Sequence, residues 1–108
     1  MHKCDNWVVL KFKATNETFY RLLVGTSGGY LSGDSWRMNS GIEECRKDGD
    51  YFIFSGNSGS EYKCHKDAYG VRMNIIGVIS NFQAKYKDKV AMVSRPDDYD
   101  WTTFNWHP

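Results

Sequence analysis

The stretch IEECRKDGDYFIFSGNSGSEYKCHK, residues 42–66, decides the fold. Asp48-Gly49 separates "IEECRK" from "YFIFSG". Glycine takes the positive φ of a tight hairpin turn without a Cβ clash, so this dipeptide reads as a turn between two strands. A second turn, Asn57-Ser58-Gly59, separates "YFIFSG" from "SEYKCHK". Two short turns joining three apolar-rich runs make a meander. Side chains alternate across a strand, so Tyr62 and Cys64 share one face, and Glu61, Lys63 and His65 share the other.

The flanks extend this pattern. "NWVVLKFKA" (6–14) is rich in Val, Trp and Phe and reads as a strand, followed by the polar turn "TNET". "TFYRLLVGT" (18–26) suits a strand or a short helix, and the glycine-rich run that ends it favours the strand. In "GYLSGDSWRMNSG" a strand would place Trp36 and Met38 on one face, with Arg37 and Asn39 on the other. Beyond Asp67 the period changes. Ile75, Ile79, Phe82 and Tyr86 recur at helical spacings, and Met73, Ile76 and Gly77 broaden the apolar side. One main helix is expected over about 70–87, with Gly77 weakening it by roughly 1 kcal/mol relative to Ala. "KVAMVSR" (89–95) reads as a returning strand that Pro96 ends. The tail after it holds two Trp, one Tyr and one Phe, which predicts that it is tied down rather than solvated.

The expectation is therefore one α+β domain over 1–108, an antiparallel sheet of about five or six strands with one helix packed on a face. At 108 residues, with 41% hydrophobic and 16% aromatic side chains, the chain can bury a core without cross-links. Fourteen Lys/Arg against thirteen Asp/Glu leave a net charge of +1, so global charge argues for neither nucleic acid nor membrane. Charge is nevertheless segregated: residues 61–95 carry seven Lys/Arg and three acids, and the tail carries Asp97, Asp98 and Asp100. No apolar run of signal-peptide or membrane-span length occurs, which predicts a cytoplasmic protein. Three cysteines, an odd number, argue against a disulfide framework.

The chemical motifs are weak. "GTSGG" (25–29) fits a nucleophile-elbow pattern at Ser27, but the run after it is not helical as that elbow requires. "GDSW" (33–36) would offer Ser35 as a nucleophile, without the parallel α/β frame such a serine needs. Cys4, Cys45, Cys64, His2, His65 and His107 lack metal-ligand spacing, and the adjacent Cys64 and His65 diverge on a strand. No catalytic residue, metal or cofactor is assigned. The 55–60 loop could present backbone N–H groups to an anion, with Ser58, Gly59 and Ser60 forming the cradle and Lys63, Lys66 and Arg72 supplying charge. Tyr62, Lys63, His65, Tyr69 and Arg72 are also the residue types that bind single-stranded nucleic acid, although the neutral total charge and acidic tail count against it.

The strings W-R-x-N-S-G and S-G-S-x-Y-x-C-H-K, within about residues 34–70, resemble a group of short proteins of tailed bacteriophages and prophages. The resemblance implies a setting rather than an activity. Small phage proteins outside the virion often bind and disable a host enzyme or defence system, here in the host cytoplasm. Together with the aromatic-rich composition, this favours a non-enzymatic protein that binds and inhibits or redirects a host protein. The expected contact residues are Trp36, Arg37, Asn39, Ser58, Tyr62, Lys63, His65 and Tyr69, because aromatic and Arg side chains combine large area with directional bonds. Trp36 and Tyr62 equally suit a core. An exposed edge strand would also allow a homodimer.

Overall fold

A computed structural model describes residues 2–4, 6–29, 33–70, 73–96 and 98–108. Strand β2 (Asn6–Lys13) is the centre of the molecule. Its residues Trp7, Val8, Val9 and Leu10 are all 0% exposed, so the strand is buried on both faces. That explains a continuous apolar run where a one-sided strand would alternate. Trp7 and Val9 face one core, and Val8 and Leu10 face another.

Around β2 the chain forms β1 (His2–Cys4), β3 (Thr18–Gly29), β4 (Gly33–Met38), β5 (Ile42–Asp48), β6 (Tyr51–Gly56), β7 (Glu61–His65), helix α1 (Met73–Tyr86) and β8 (Val90–Met92). Short 3-10 turns cover Lys87–Lys89 and Trp101–Thr103. The α+β class, the antiparallel meander and the single main helix are as expected. The strands divide between two sheets, where one sheet of five or six strands was expected. One sheet has the order β4-β3-β2-β8 and is antiparallel throughout. The other has the order β1-β7-β6-β5, antiparallel except where β1 pairs parallel to β7.

The layers follow from side-chain alternation. Trp7, Val9, Tyr20, Leu22 and Val24 pack against Ile42, Phe52, Phe54, Tyr62 and Cys64 from the second sheet. Val8, Leu10 and Leu23 pack against Ile79 of α1 and Val90. Helix, sheet and sheet thus stack in that order. Burying a large side chain of this kind stabilises by about 1.5–3 kcal/mol.

The turns behave as their residues dictate: Gly49 has φ +60° and Gly59 has φ +89°, both in the left-handed region. Gly70, at φ +147°, lies outside the helix expected over about 70–87, and α1 is described from Met73. Segment 68–70 instead runs beside β2, through Trp7 N–H to Ala68 O (3.2 Å) and Gly70 N–H to Trp7 O (2.9 Å). The tail is docked. Trp101 and Trp106 are buried in the inter-sheet core with Phe104 and Tyr99 against them. His107 Nε2 lies 2.8 Å from Glu43 O on β5, occupying a carbonyl at the edge of that sheet.

Candidate interaction surface

Trp36 lies on edge strand β4, in register with Gly25, while Met38 is in register with Leu23. That parity puts Trp36 on the helix side of the sheet, at the margin of α1, where it remains 46% exposed. Its ring meets Phe82 edge-on at 6.5 Å. Phe82 stacks on Tyr86, one helical turn away, at 6.1 Å. It also meets Phe12 of β2 edge-on at 6.3 Å. Phe12 stacks on Phe19 of β3 at 5.3 Å and 9°, as expected of directly paired residues on one sheet face. The result is a connected aromatic run over β4, α1, β2 and β3. It branches at Phe82; two of its three ends, Trp36 and Tyr86, are exposed, and Ile76 on α1 is 54% exposed.

Cations border this run. The Arg21 guanidinium sits over both Phe12 and Phe19, at 5.4 and 5.3 Å. Lys85 Nζ lies 5.3 Å from the Tyr86 ring centre. Phe12, Phe19 and Tyr86, together with Arg21, Lys89 and Val90, line a groove of about 220 Å³ that no acidic side chain borders. Among the described residues, Arg21, Lys85 and Lys89 make no ion pair with a carboxylate. Rings preorganise the Arg21 charge, and among the described residues no carboxylate pairs with it.

The structure scatters the other residues expected at a contact surface. Arg37 is exposed but faces the opposite way from Trp36, toward the second sheet, where its charge reaches Tyr62. Asn39 is 4% exposed and serves the sheet: its Oδ1 accepts from Leu22 N–H at 2.8 Å, and its own N–H donates to Leu22 O at 3.0 Å. Tyr62 is 5% exposed and belongs to the inter-sheet core. Tyr69 is half-buried between Trp7 and Trp101, its hydroxyl accepting from Val9 N–H at 3.2 Å and donating to Val93 O. Burial thus removes Asn39 and Tyr62 from the contact set and gives Tyr69 a bracing role.

Lys63 and His65 do lie together, on the outer face of the second sheet. Lys63 Nζ is 4.7 Å from the Tyr51 ring and 3.8 Å from Asp48, and the Tyr51 and His65 rings are 5.1 Å apart. Arg46 and Glu61 pair at 2.7 Å on the same sheet. On this face Arg46, Glu61, Lys63 and Asp48 are thus paired with one another.

In the 55–60 loop, where an anion cradle is expected, several backbone donors have partners within the protein. Gly56 N–H donates to Ser60 O at 2.8 Å, Gly59 N–H to Gly56 O at 3.0 Å, and Asn57 N–H to Gly41 O at 3.1 Å. Ser58 Oγ is 3.1 Å from Ser40 Oγ. Lys66 pairs with Asp67 at 3.3 Å. Arg72 lies outside the described residues. Three of the loop's N–H groups, those of Gly56, Asn57 and Gly59, are thus committed to backbone carbonyls, which leaves the cradle expected from Ser58, Gly59, Ser60, Lys63 and Lys66 fewer donors.

Neither Cys45 nor Cys64 rests as a free thiolate at neutral pH. Burial, then the Asp100 carboxylate, pushes Cys45 up to about 12. Burial likewise holds Cys64 well above the ordinary thiol range. His65 projects away from Cys64, and its Nδ1 accepts from Asp67 N–H at 3.1 Å. Among the described residues, no three His, Cys, Asp or Glu side chains converge as a metal set would. No helix described is long and apolar enough to cross a membrane.

Of the expected contact residues, only Trp36 belongs to the aromatic run. Phe12, Phe19, Arg21, Lys85 and Lys89 were not singled out by sequence. The spacing of Phe82 and Tyr86 was visible, but it reads as a core face unless the helix is known to overhang its sheet. No known protein family, curated protein or solved structure matches this chain.

Proposed function

We propose that this chain is a small non-enzymatic binding protein of the phage type, which engages a host protein at fixed stoichiometry and inhibits or redirects it. The observation that carries the proposal is the aromatic run that holds Trp36 and Tyr86, both exposed, bordered by cations that no described carboxylate pairs with. Exposed contiguous apolar area of this kind marks interaction sites. Trp, Tyr and Arg are the side chains that dominate binding energy when desolvated. The partner surface has complementary chemistry: an apolar side chain that fills the groove between Phe12, Phe19 and Tyr86, with acids placed to meet Arg21, Lys85 and Lys89. Removing water from those cations leaves them uncompensated unless such acids are present.

The test is capture by tagged protein from a bacterial host, followed by reconstitution with the purified partner. The expected result is a complex of defined stoichiometry that Trp36→Ala and Tyr86→Ala each weaken at least tenfold while keeping the wild-type circular dichroism. Capture that survives both substitutions, or no capture at all, overturns the proposal.

A second reading draws on the same surface. Stacked rings beside cations also suit single-stranded nucleic acid. Quenching of Trp fluorescence by short oligonucleotides, weakening steeply with salt, would favour it over a protein partner.

A further inference from the structure

The inter-sheet core brings two thiols together from opposite ends of the meander and the N-terminal strand. Cys4 ends β1, and Cys64 lies in β7 directly opposite it in the parallel register His2↔Tyr62, Lys3↔Lys63, Cys4↔Cys64. Their sulfurs are 3.3 Å apart, with the Cys64 thiol directed at Cys4 Sγ. Both cysteines are free. Paired strands run about 4.8 Å apart, inside the span of roughly 4.4–6.8 Å between Cα atoms that a disulfide bridges. Forming the bond would bring the sulfurs to about 2.05 Å.

We propose that Cys4 and Cys64 are a modification site: a reversible intrachain disulfide that forms when a low-molecular-weight disulfide oxidises the pair. Cys4 is half-buried and Cys64 fully buried, so the order of events is set by access. The Cys4 thiolate attacks one sulfur of the small disulfide. That S–S bond breaks, one small thiolate leaves, and Cys4 carries the mixed disulfide. The Cys64 thiol, 3.3 Å away, then attacks Cys4 Sγ, and its proton passes to the small thiolate that leaves. The Cys4–Cys64 bond forms as the second small thiolate departs. Two protein thiols are oxidised, and one small disulfide is reduced to two thiols.

Cys45 is the third thiol and a built-in contrast. It lies on β5, two strands away from β7. The bridge would close a sequence separation of 60 residues, tying β1 to the meander. Loop closure of that length raises Tm by roughly 10 °C or more in a chain of this size.

The experiment treats purified full-length protein with oxidised glutathione, alkylates it under denaturing non-reducing conditions, and maps the peptides by mass spectrometry. The expected product is monomeric, has one alkylated cysteine, Cys45, and yields a Cys4–Cys64 linked peptide. Its Tm is raised, and dithiothreitol reverses both changes. Cys45→Ser is expected to form the same linked peptide. Cys4→Ser leaves the core sulfur in place and is expected to lose both the linked peptide and the Tm rise. Three alkylated cysteines after oxidation, or a mixed disulfide on Cys4 that never resolves, overturn the proposal. So does a dimer linked through Cys45.

Discussion

Replacing Tyr69 with Phe tests the assignment of this residue as a brace. The ring, held by Trp7 at 4.6 Å and Trp101 at 5.0 Å, is retained. Only the hydroxyl is lost, and it is the partner of two backbone groups, Val9 N–H and Val93 C=O. Val9 is 0% exposed and Val93 8%, so water cannot readily replace it at Val9. An unsatisfied buried backbone group costs about 1–3 kcal/mol. Val93, nearer the surface, regains part of that from solvent, giving about 2–4 kcal/mol in all. For a chain of this length, this lowers Tm by roughly 10–15 °C. Differential scanning calorimetry measures it directly, and hydrogen exchange should show faster exchange at the Val9 amide. Tyr99→Phe is the control: its hydroxyl makes no hydrogen bond with a described residue, and the expected shift is close to zero. A fall in Tm below about 3 °C for Tyr69→Phe, or equal shifts for both variants, would refute the bracing role.

Asn39→Ala should cost about 1–3 kcal/mol, because Leu22 N–H loses its 2.8 Å acceptor in a fully buried position; urea unfolding beside Ser40→Ala, which is exposed, checks it. Alkaline pH should also destabilise the fold. Burial raises Cys45 and Tyr69 to about 12 and holds Cys64 high, so the unfolded chain ionises first. The stability these groups contribute is complete below about pH 8.5 and is lost as pH climbs toward 12, at up to about 1.4 kcal/mol per pH unit for each group. Urea midpoints measured from pH 7 to 11 should fall in that window, and a flat profile would contradict the burial of all three.

The elements legible in sequence are those specified by neighbours in the chain. Gly49 and Gly59 announce their turns, Tyr62 and Cys64 alternate with charged residues, and Phe82 and Tyr86 keep a helical period. The division into two sheets depends on contacts with no local signature, such as β1 joining β7 across 60 residues. Polar residues misled for the same reason. Asn39 looks like surface until Leu22 is found to need an acceptor, and Tyr69 looks exposed until Val9 and Val93 close on its hydroxyl. The aromatic run joins residues from four separate elements, so its continuity exists only after folding.

The double burial of β2 has a mechanical consequence. Trp7 and Val9 serve the inter-sheet layer, and Val8 and Leu10 serve the layer beneath the helix, so the two apolar interiors share one wall. Neither interior survives removal of that wall, and peeling the helix away exposes the back of residues that hold the opposite side. Melting should therefore be a single cooperative event, with far-ultraviolet ellipticity and Trp fluorescence tracing the same curve.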